Sequence, residues 1–344
     1  MGQVKDHEDL RRRNGRKHSQ GQAFYRHLAA LGSFGLLIGL ALFTAKVQGA
    51  PSQASSTLRN PWKFDKAAAW QHLTKQCSYG PRNTGSKGYL ACKDYLVGEV
   101  KKYCDNVHTD DFTHLWSSTH KNVAMSNIVG EQNWKDAKVH VLLIAHWDTR
   151  PTSDQESDPQ LARLPIMGAN DGASGVAVLL ELMRAVKGRL PKDVGVMYLL
   201  SDGEDLGPEL DEMFLGAAFF ARKLPSPKPD YGILLDMIGD KDLQVPMEPN
   251  SMRYAGPLVK AFYRNAAQVG LQETFPQSDG PTIEDDHIPI NEAGIPTMDL
   301  IDFDYRPWHT QSDTVDKCSS ESLGKIGIAL ESWLLKSPSF TMPK

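Results

Sequence analysis

Apolar residues along this chain fall into two kinds of run. Four are short and continuous: VHVLLIAHWD (139–148), GVMYLLSDGED (195–205), YGILLDMIGD (231–240) and TMDLIDFD (297–304). Runs of that length predict strands buried on both faces. Between them apolar residues recur at helical spacing. Val176, Val178, Leu179, Leu180, Leu182 and Met183 mark a helix beginning near Ala173. FLGAAFFARKL (214–224), PLVKAFYRNAAQVG (257–270) and ESLGKIGIALESWLL after Ser319-Ser320 predict three more. Upstream, residues 64–104 predict two helices with a break at PRNTGS. Apolar strands alternating with helices define an α/β unit, with a mostly parallel central sheet and helices on both faces. This unit runs from near Trp62 towards the C-terminus.

The N-terminal end has a different pattern. Residues 1–28 form a basic tail; the first 27 hold seven Lys or Arg and three acids, a net charge of +4. The whole chain carries −4, so the remainder carries −8. An acidic body excludes nucleic acid as the main partner. Residues 29–45, AALGSFGLLIGLALFTA, carry no charge. A polycationic flank, an apolar core and the polar linker of residues 46–61 predict a transmembrane signal anchor or a cleaved signal peptide. Either outcome leaves the 62–344 domain outside the cytoplasm, membrane-anchored or secreted, with residues 29–45 contacting the membrane if they are retained. The four cysteines, Cys77, Cys92, Cys104 and Cys318, allow three full pairings, and export favours one disulfide among them. None forms a C-x-x-C pair.

Polar residues gather where the predicted strands end. His146 and Asp148 follow the first strand, Asp202, Glu204 and Asp205 the second, Asp236 the third, and Asp302, Asp304 and Trp308-His309 the fourth. In open α/β sheets ligands bind at that edge. Asn170-Asp171-Gly172 precedes the helix at Ala173 and belongs to the same edge. Taken alone, Asp171 reads as a turn or cap residue. Among so many carboxylates it reads better as a metal ligand, because such a set repels itself without a cation. Imidazole and carboxylate without cysteine suit Zn²⁺ in a site with an open position; Mn²⁺ or Co²⁺ also fit.

Five motifs in order, His146-Trp147-Asp148, Asn170-Asp171-Gly172, Asp202-Gly203-Glu204-Asp205, Leu235-Asp236-Met237-Ile238-Gly239 and Trp308-His309-Thr310, resemble the zinc aminopeptidase superfamily. Within it the chain most resembles glutaminyl-peptide cyclotransferases. Glu284-Asp285-Asp286-His287-Ile288-Pro289 and Tyr79-Gly80-Pro81-Arg82 strengthen that likeness. The resemblance implies that Asp171, Asp205 and His309 hold one zinc per chain. It implies Glu204 as general acid/base, Asp236 and Asp285 as its hydrogen-bonding neighbours, and Trp308 against the substrate. The reaction implied converts an N-terminal Gln of a peptide or protein to pyroglutamate with loss of ammonia, zinc acting as Lewis acid. The chain departs from the animal enzymes at three places: Asp205 stands for Glu, no tryptophan follows it in Leu206-Gly-Pro-Glu-Leu210, and Asp299 stands for His. The alternative is a two-zinc aminopeptidase, in which His146 and Asp236 hold a second metal, Asp171 bridges, and Asp148 orients His146.

Overall fold

The computed structural model describes residues 61–336 and residue 340. Two helices open it, α1 (Lys66–Cys77) and α2 (Lys87–Tyr103). Each begins on a side-chain cap: Asp65 accepts from the Ala67 N–H at 2.8 Å, and Ser86 from the Tyr89 N–H at 3.0 Å. There follow β1 (Asn106–Trp116), β2 (Lys121–Gln132), β3 (Val139–His146), α3 (Ala173–Val186), β4 (Val194–Ser201), α4 (Leu215–Arg222) and β5 (Tyr231–Asp236). The chain continues through α5 (Pro249–Gln268), α6 (His287–Glu292), β6 (Thr297–Ile301) and α7 (Ser320–Lys336).

The six strands form one sheet in the order β1-β2-β4-β3-β5-β6. The pairs β3/β4, β3/β5 and β5/β6 are parallel, as the alternation of strand and helix predicts. The pairs β1/β2 and β2/β4 are antiparallel, so the sheet is mixed. The hairpin β1-β2 corrects the sequence-based picture, which has no strands before residue 139. In β1 polar residues such as Asp110, Asp111 and His114 sit among the apolar ones, so no continuous apolar run marks it. Helix α5 starts earlier than its apolar pattern, at Pro249. Helical geometry fails at Ala255, two residues before Pro257, so the sequence suggests a start where the helix only bends.

Both faces of the sheet are covered. Val141, Leu143 and Ala145 of β3 join one core with α1, α2, α3, α5 and α7. Leu142 and Ile144 of the same strand join a second core with Phe220 of α4 and Ile290 of α6. A two-residue period is therefore hidden inside each continuous apolar run. Every residue of α3 except Arg184 is buried. Its close approach to the sheet needs Gly175, whose added Cβ would collide with the Leu235 carbonyl.

All four cysteines are free, which corrects the expected disulfide. Cys92 packs within α2, Cys104 sits against Gly130 of β2, and Cys77 and Cys318 share the wall of a cavity of about 750 Å³. Among the described residues no helix is long and apolar enough to cross a membrane. The predicted targeting segment, residues 29–45, lies outside the described residues, as do the basic tail and most of the linker.

Candidate metal centre

His146 and Asp236 are the last residues of β3 and β5, whereas β4 and β6 stop before their polar residues, which lie on the loops that follow. Three buried groups fix those loops. Arg82 is wholly buried and donates to the carbonyls of Trp147 (3.1 Å), Met167 (2.9 Å) and Gly168 (2.7 Å), tying the loop after β3 to the turn before α3. Asp313 accepts from the backbone N–H groups of Asn170 (2.9 Å) and Asp171 (3.2 Å). Asn170 in turn accepts from the Gly239 N–H at 2.6 Å, which brings in the loop after β5. Gly172, with φ of 93°, ends the turn, and a Cβ there would meet the Asp148 carbonyl at 2.6 Å. No side chain caps α3, so the Asp171 carboxylate is free to face the loops opposite.

Asp171 faces two histidines. Its Oδ1 lies 3.2 Å from His146 Nε2, and its Oδ2 lies 3.5 Å from His309 Nε2. His309 Nε2 is also 3.2 Å from Asp205 Oδ1, and His146 Nε2 is 3.1 Å from Asp236 Oδ1. Two triads therefore share Asp171: one with Asp205 and His309, one with His146 and Asp236. His146, Asp171 and Asp205 together offer ligand atoms all within 4.8 Å of one another. Neighbouring ligands on a tetrahedral zinc, at bond lengths of about 2.0–2.1 Å, stand about 3.3 Å apart. The observed separations match that edge.

The electrostatics support the same conclusion. Asp171 Oδ2, Asp205 Oδ2 and His146 Nδ1 are buried without a hydrogen-bond partner. Burial, with Asp205 adding to it, pushes Asp171 up to about 7, against the pull of His146. Burial also lifts Glu204 well above an ordinary glutamate; His146 opposes this, and Asp205 and Asp285 reinforce it. For His309 burial favours the neutral ring, yet Asp205 and Asp154 outweigh it and raise the imidazole to about 9. Asp205 resists its own burial, because His309 and Arg150 hold it below the usual carboxylate range. A proton on His309 is the same positive charge that a metal ion between these ligands would supply. The donor set and its unpartnered atoms fit a divalent cation.

Glu204 stands beside both triads, with Oε2 3.6 Å from His146 Nδ1. Asp285 is wholly buried, and burial, with Asp299 and Asp236 nearby, raises it well above an ordinary aspartate. The indole of Trp308 stacks on the His309 ring, centroids 4.0 Å apart at 23°. The structure thus gathers Asp171, Glu204, Asp205, Asp236, His309 and the second-triad residue His146 into one centre, flanked by Trp308 and Asp285. Asp148 faces the His146 ring and also holds the loop after β4. Its oxygens accept from the backbone N–H groups of Glu204 (3.3 Å) and Asp205 (3.2 Å), while His146 Nδ1 is 3.7 Å away. Asp202 accepts from the Tyr89 hydroxyl and the Ser126 N–H, and Asp302 from the Gln244 N–H, so both secure loops. Arg150, Asp154 and Asp313 have roles that the sequence analysis does not assign. Each is a charged loop residue whose only sequence signal is proximity to the HWD and WHT motifs.

Fold and site together define a metal-dependent α/β enzyme of the zinc exopeptidase type. Residues 127–334 match peptidase family M28, and the chain belongs to that family. It is 26% identical over 283 residues to a glutaminyl-peptide cyclotransferase of Bos taurus, covering 71% of this chain and 76% of that protein. A solved glutaminyl cyclase of Bacteroides thetaiotaomicron, bound to N-acetylhistamine, superposes with a TM-score of 0.75 at 31% identity, over 79% of this chain and 98% of that one. A Zn-dependent exopeptidase of Parabacteroides distasonis gives a TM-score of 0.76 at 32% identity, with the same coverage.

Proposed function

We propose that this protein is a glutaminyl-peptide cyclotransferase, an acyltransferase acting on peptide or protein N-termini. The observation that carries this reading is the Trp308 indole stacked on His309, a member of the triad with Asp171 and Asp205. Asp171, Asp205 and His309 would hold a zinc ion, which when bound would supply a Lewis acid for the γ-carbonyl of the substrate glutamine. The substrate's α-amine attacks the γ-carbon; a C–N bond forms, the bond to the amide nitrogen breaks, and ammonia leaves. Glu204 takes the proton from the amine and returns it to the departing nitrogen. Its raised affinity for a proton suits that exchange. Trp308 covers the reacting ring and excludes water, which would divert the amide to hydrolysis. Asp236 and Asp285 hold the amine end of the substrate and Glu204 in register. The similarity to glutaminyl cyclases of cattle and Bacteroides supports the same reading. Residues 1–45 deliver the catalytic unit to the far side of a membrane.

One observation favours a second reading. Asp171 presents a separate oxygen to each histidine, as a carboxylate bridging two metals does. A two-zinc aminopeptidase would use both triads. The deciding assay offers purified protein a Gln-initiated and a Leu-initiated peptide. Ammonia and pyroglutamyl peptide from the first, with the second intact, are the expected results. Release of free leucine would overturn the cyclase reading.

A further inference from the structure

His309 is held from behind. Its Nδ1 lies 3.0 Å from Asp154 Oδ1, on the loop after β3. Asp154 is itself about one-third exposed and would swing freely on its own. It does not, because Arg150 grips its other oxygen: Nη2 and Nε of Arg150 donate to Asp154 Oδ2 at 2.8 and 3.1 Å. The same guanidinium reaches the other side of the triad, where Nη1 donates to Asp205 Oδ1 at 3.2 Å. Arg150 is buried, and Gly207 closes over it so tightly that a Cβ there would lie 2.7 Å from Nη1. No residue of this group is among the ligands that the motifs suggest, apart from Asp205 and His309 themselves.

We infer that Arg150 and Asp154 are positioning residues of the first metal triad: one guanidinium fixes Asp205 directly and His309 through Asp154. An Asp154 carboxylate on Nδ1–H leaves the Nε2 lone pair of His309 aimed at Asp171 and Asp205. That arrangement fixes the tautomer and raises the ring's strength as a ligand. The planar fork of arginine, not merely its charge, is what spans two carboxylates at once. It also compensates for the short side chain of Asp205, which has less reach than a glutamate and more need of a fixed direction. The inference rests on the reading of Asp171, Asp205 and His309 as ligands.

Zinc affinity, measured in the full chain by competition with a chromophoric chelator, tests it apart from catalysis. Asp154→Asn and Arg150→Met should each weaken zinc by about 10–100-fold, the usual cost of losing an orienting partner. The double variant should lose less than the product of the two, because both act on His309 along one path. Arg150→Lys keeps the charge without the fork and should recover little. Thermal melting of the metal-free variants separates misfolding from loss of aim, and Asp154→Asn, at a position about one-third exposed, keeps the test alive if the arginine variants fail to fold. Unchanged or tighter zinc binding in Arg150→Met and Asp154→Asn, with Asp171→Ala still losing zinc, would overturn the clamp and leave the metal site standing. If the unaltered protein binds no zinc, the ligand reading itself fails.

Discussion

Asp313 holds Asp171 by its backbone. Its two carboxylate oxygens accept the N–H groups of Asn170 and Asp171, at 2.9 and 3.2 Å, and one of them also takes the Tyr305 hydroxyl at 2.7 Å. The turn just before α3 is thus anchored from a residue 142 positions away, which leaves the Asp171 side chain for the metal site. Asp313→Ala would strand two buried N–H groups, at about 1–3 kcal/mol each. We expect a stability loss of about 2–4 kcal/mol by urea unfolding. Asp313→Asn keeps one accepting oxygen and should lose about half as much. An alanine variant as stable as the parent would show that the turn stands without Asp313.

Ligand and base should separate on substitution. Asp171→Ala and His309→Ala remove groups that belong to a triad and should abolish bound zinc. Glu204→Gln removes a proton carrier and should keep zinc while turnover falls by about 10²–10⁴-fold. Elemental analysis beside a rate assay distinguishes the two classes. Zinc lost from the Glu204 variant and kept in the other two would reverse the assignments.

How much of this site is readable in the sequence depends on what each residue does. The strands β3 to β6 are legible because both their faces are buried, and their polar ends therefore stand out. Asp236 ends β5, Glu204 and Asp205 follow β4 closely, Asp171 stands at the start of the helix after β3, and His309 lies in the loop after β6. The supports are not legible. Arg82 acts on carbonyls 65 to 86 residues away, and Asp313 on N–H groups 142 and 143 away. Arg150 and Asp154 look like any solvated loop pair until Gly207 and Asp205 fold over them. The hairpin β1-β2 is missed for a related reason: its outer strand has a polar face, and Asp111 takes part in contacts with Ser126 and Lys93 rather than in a core.

The metal-free protein should respond to pH through Asp171. Its carboxyl is pushed up to about 7 in the folded chain, above the roughly 3.9 of an unfolded aspartate. A raised carboxyl pKa stabilises the fold below the unfolded value, and that stability is lost as pH rises through 7. In chelator, Asp171→Asn should therefore melt above the parent at pH 8, with the gap closing towards pH 4. Added zinc should reverse the order, because only the parent gains from binding. A parent that melts above the variant in chelator at pH 8 would mean that Asp171 is not strained by its own charge.

His146 decides between one metal and two. Its Nε2 faces Asp171 and Asp236 at 3.2 and 3.1 Å, a geometry that serves either a second cation or a plain hydrogen bond. Hydrolysis needs an activated water, and a pair of metals supplies one well. Cyclisation carries its nucleophile within the substrate, so one Lewis acid is enough. A cyclase should reach full activity with about one zinc per chain, and His146→Ala should leave that zinc in place. The loss would then be modest and would come from the freed Asp236. An aminopeptidase should need the second metal, and His146→Ala should lower metal content and turnover together. The products report independently of the metal count. A Gln-initiated peptide gives ammonia in the first case and free glutamine in the second. Free glutamine, two zincs per chain and collapse of activity in His146→Ala would together replace the cyclase with the peptidase.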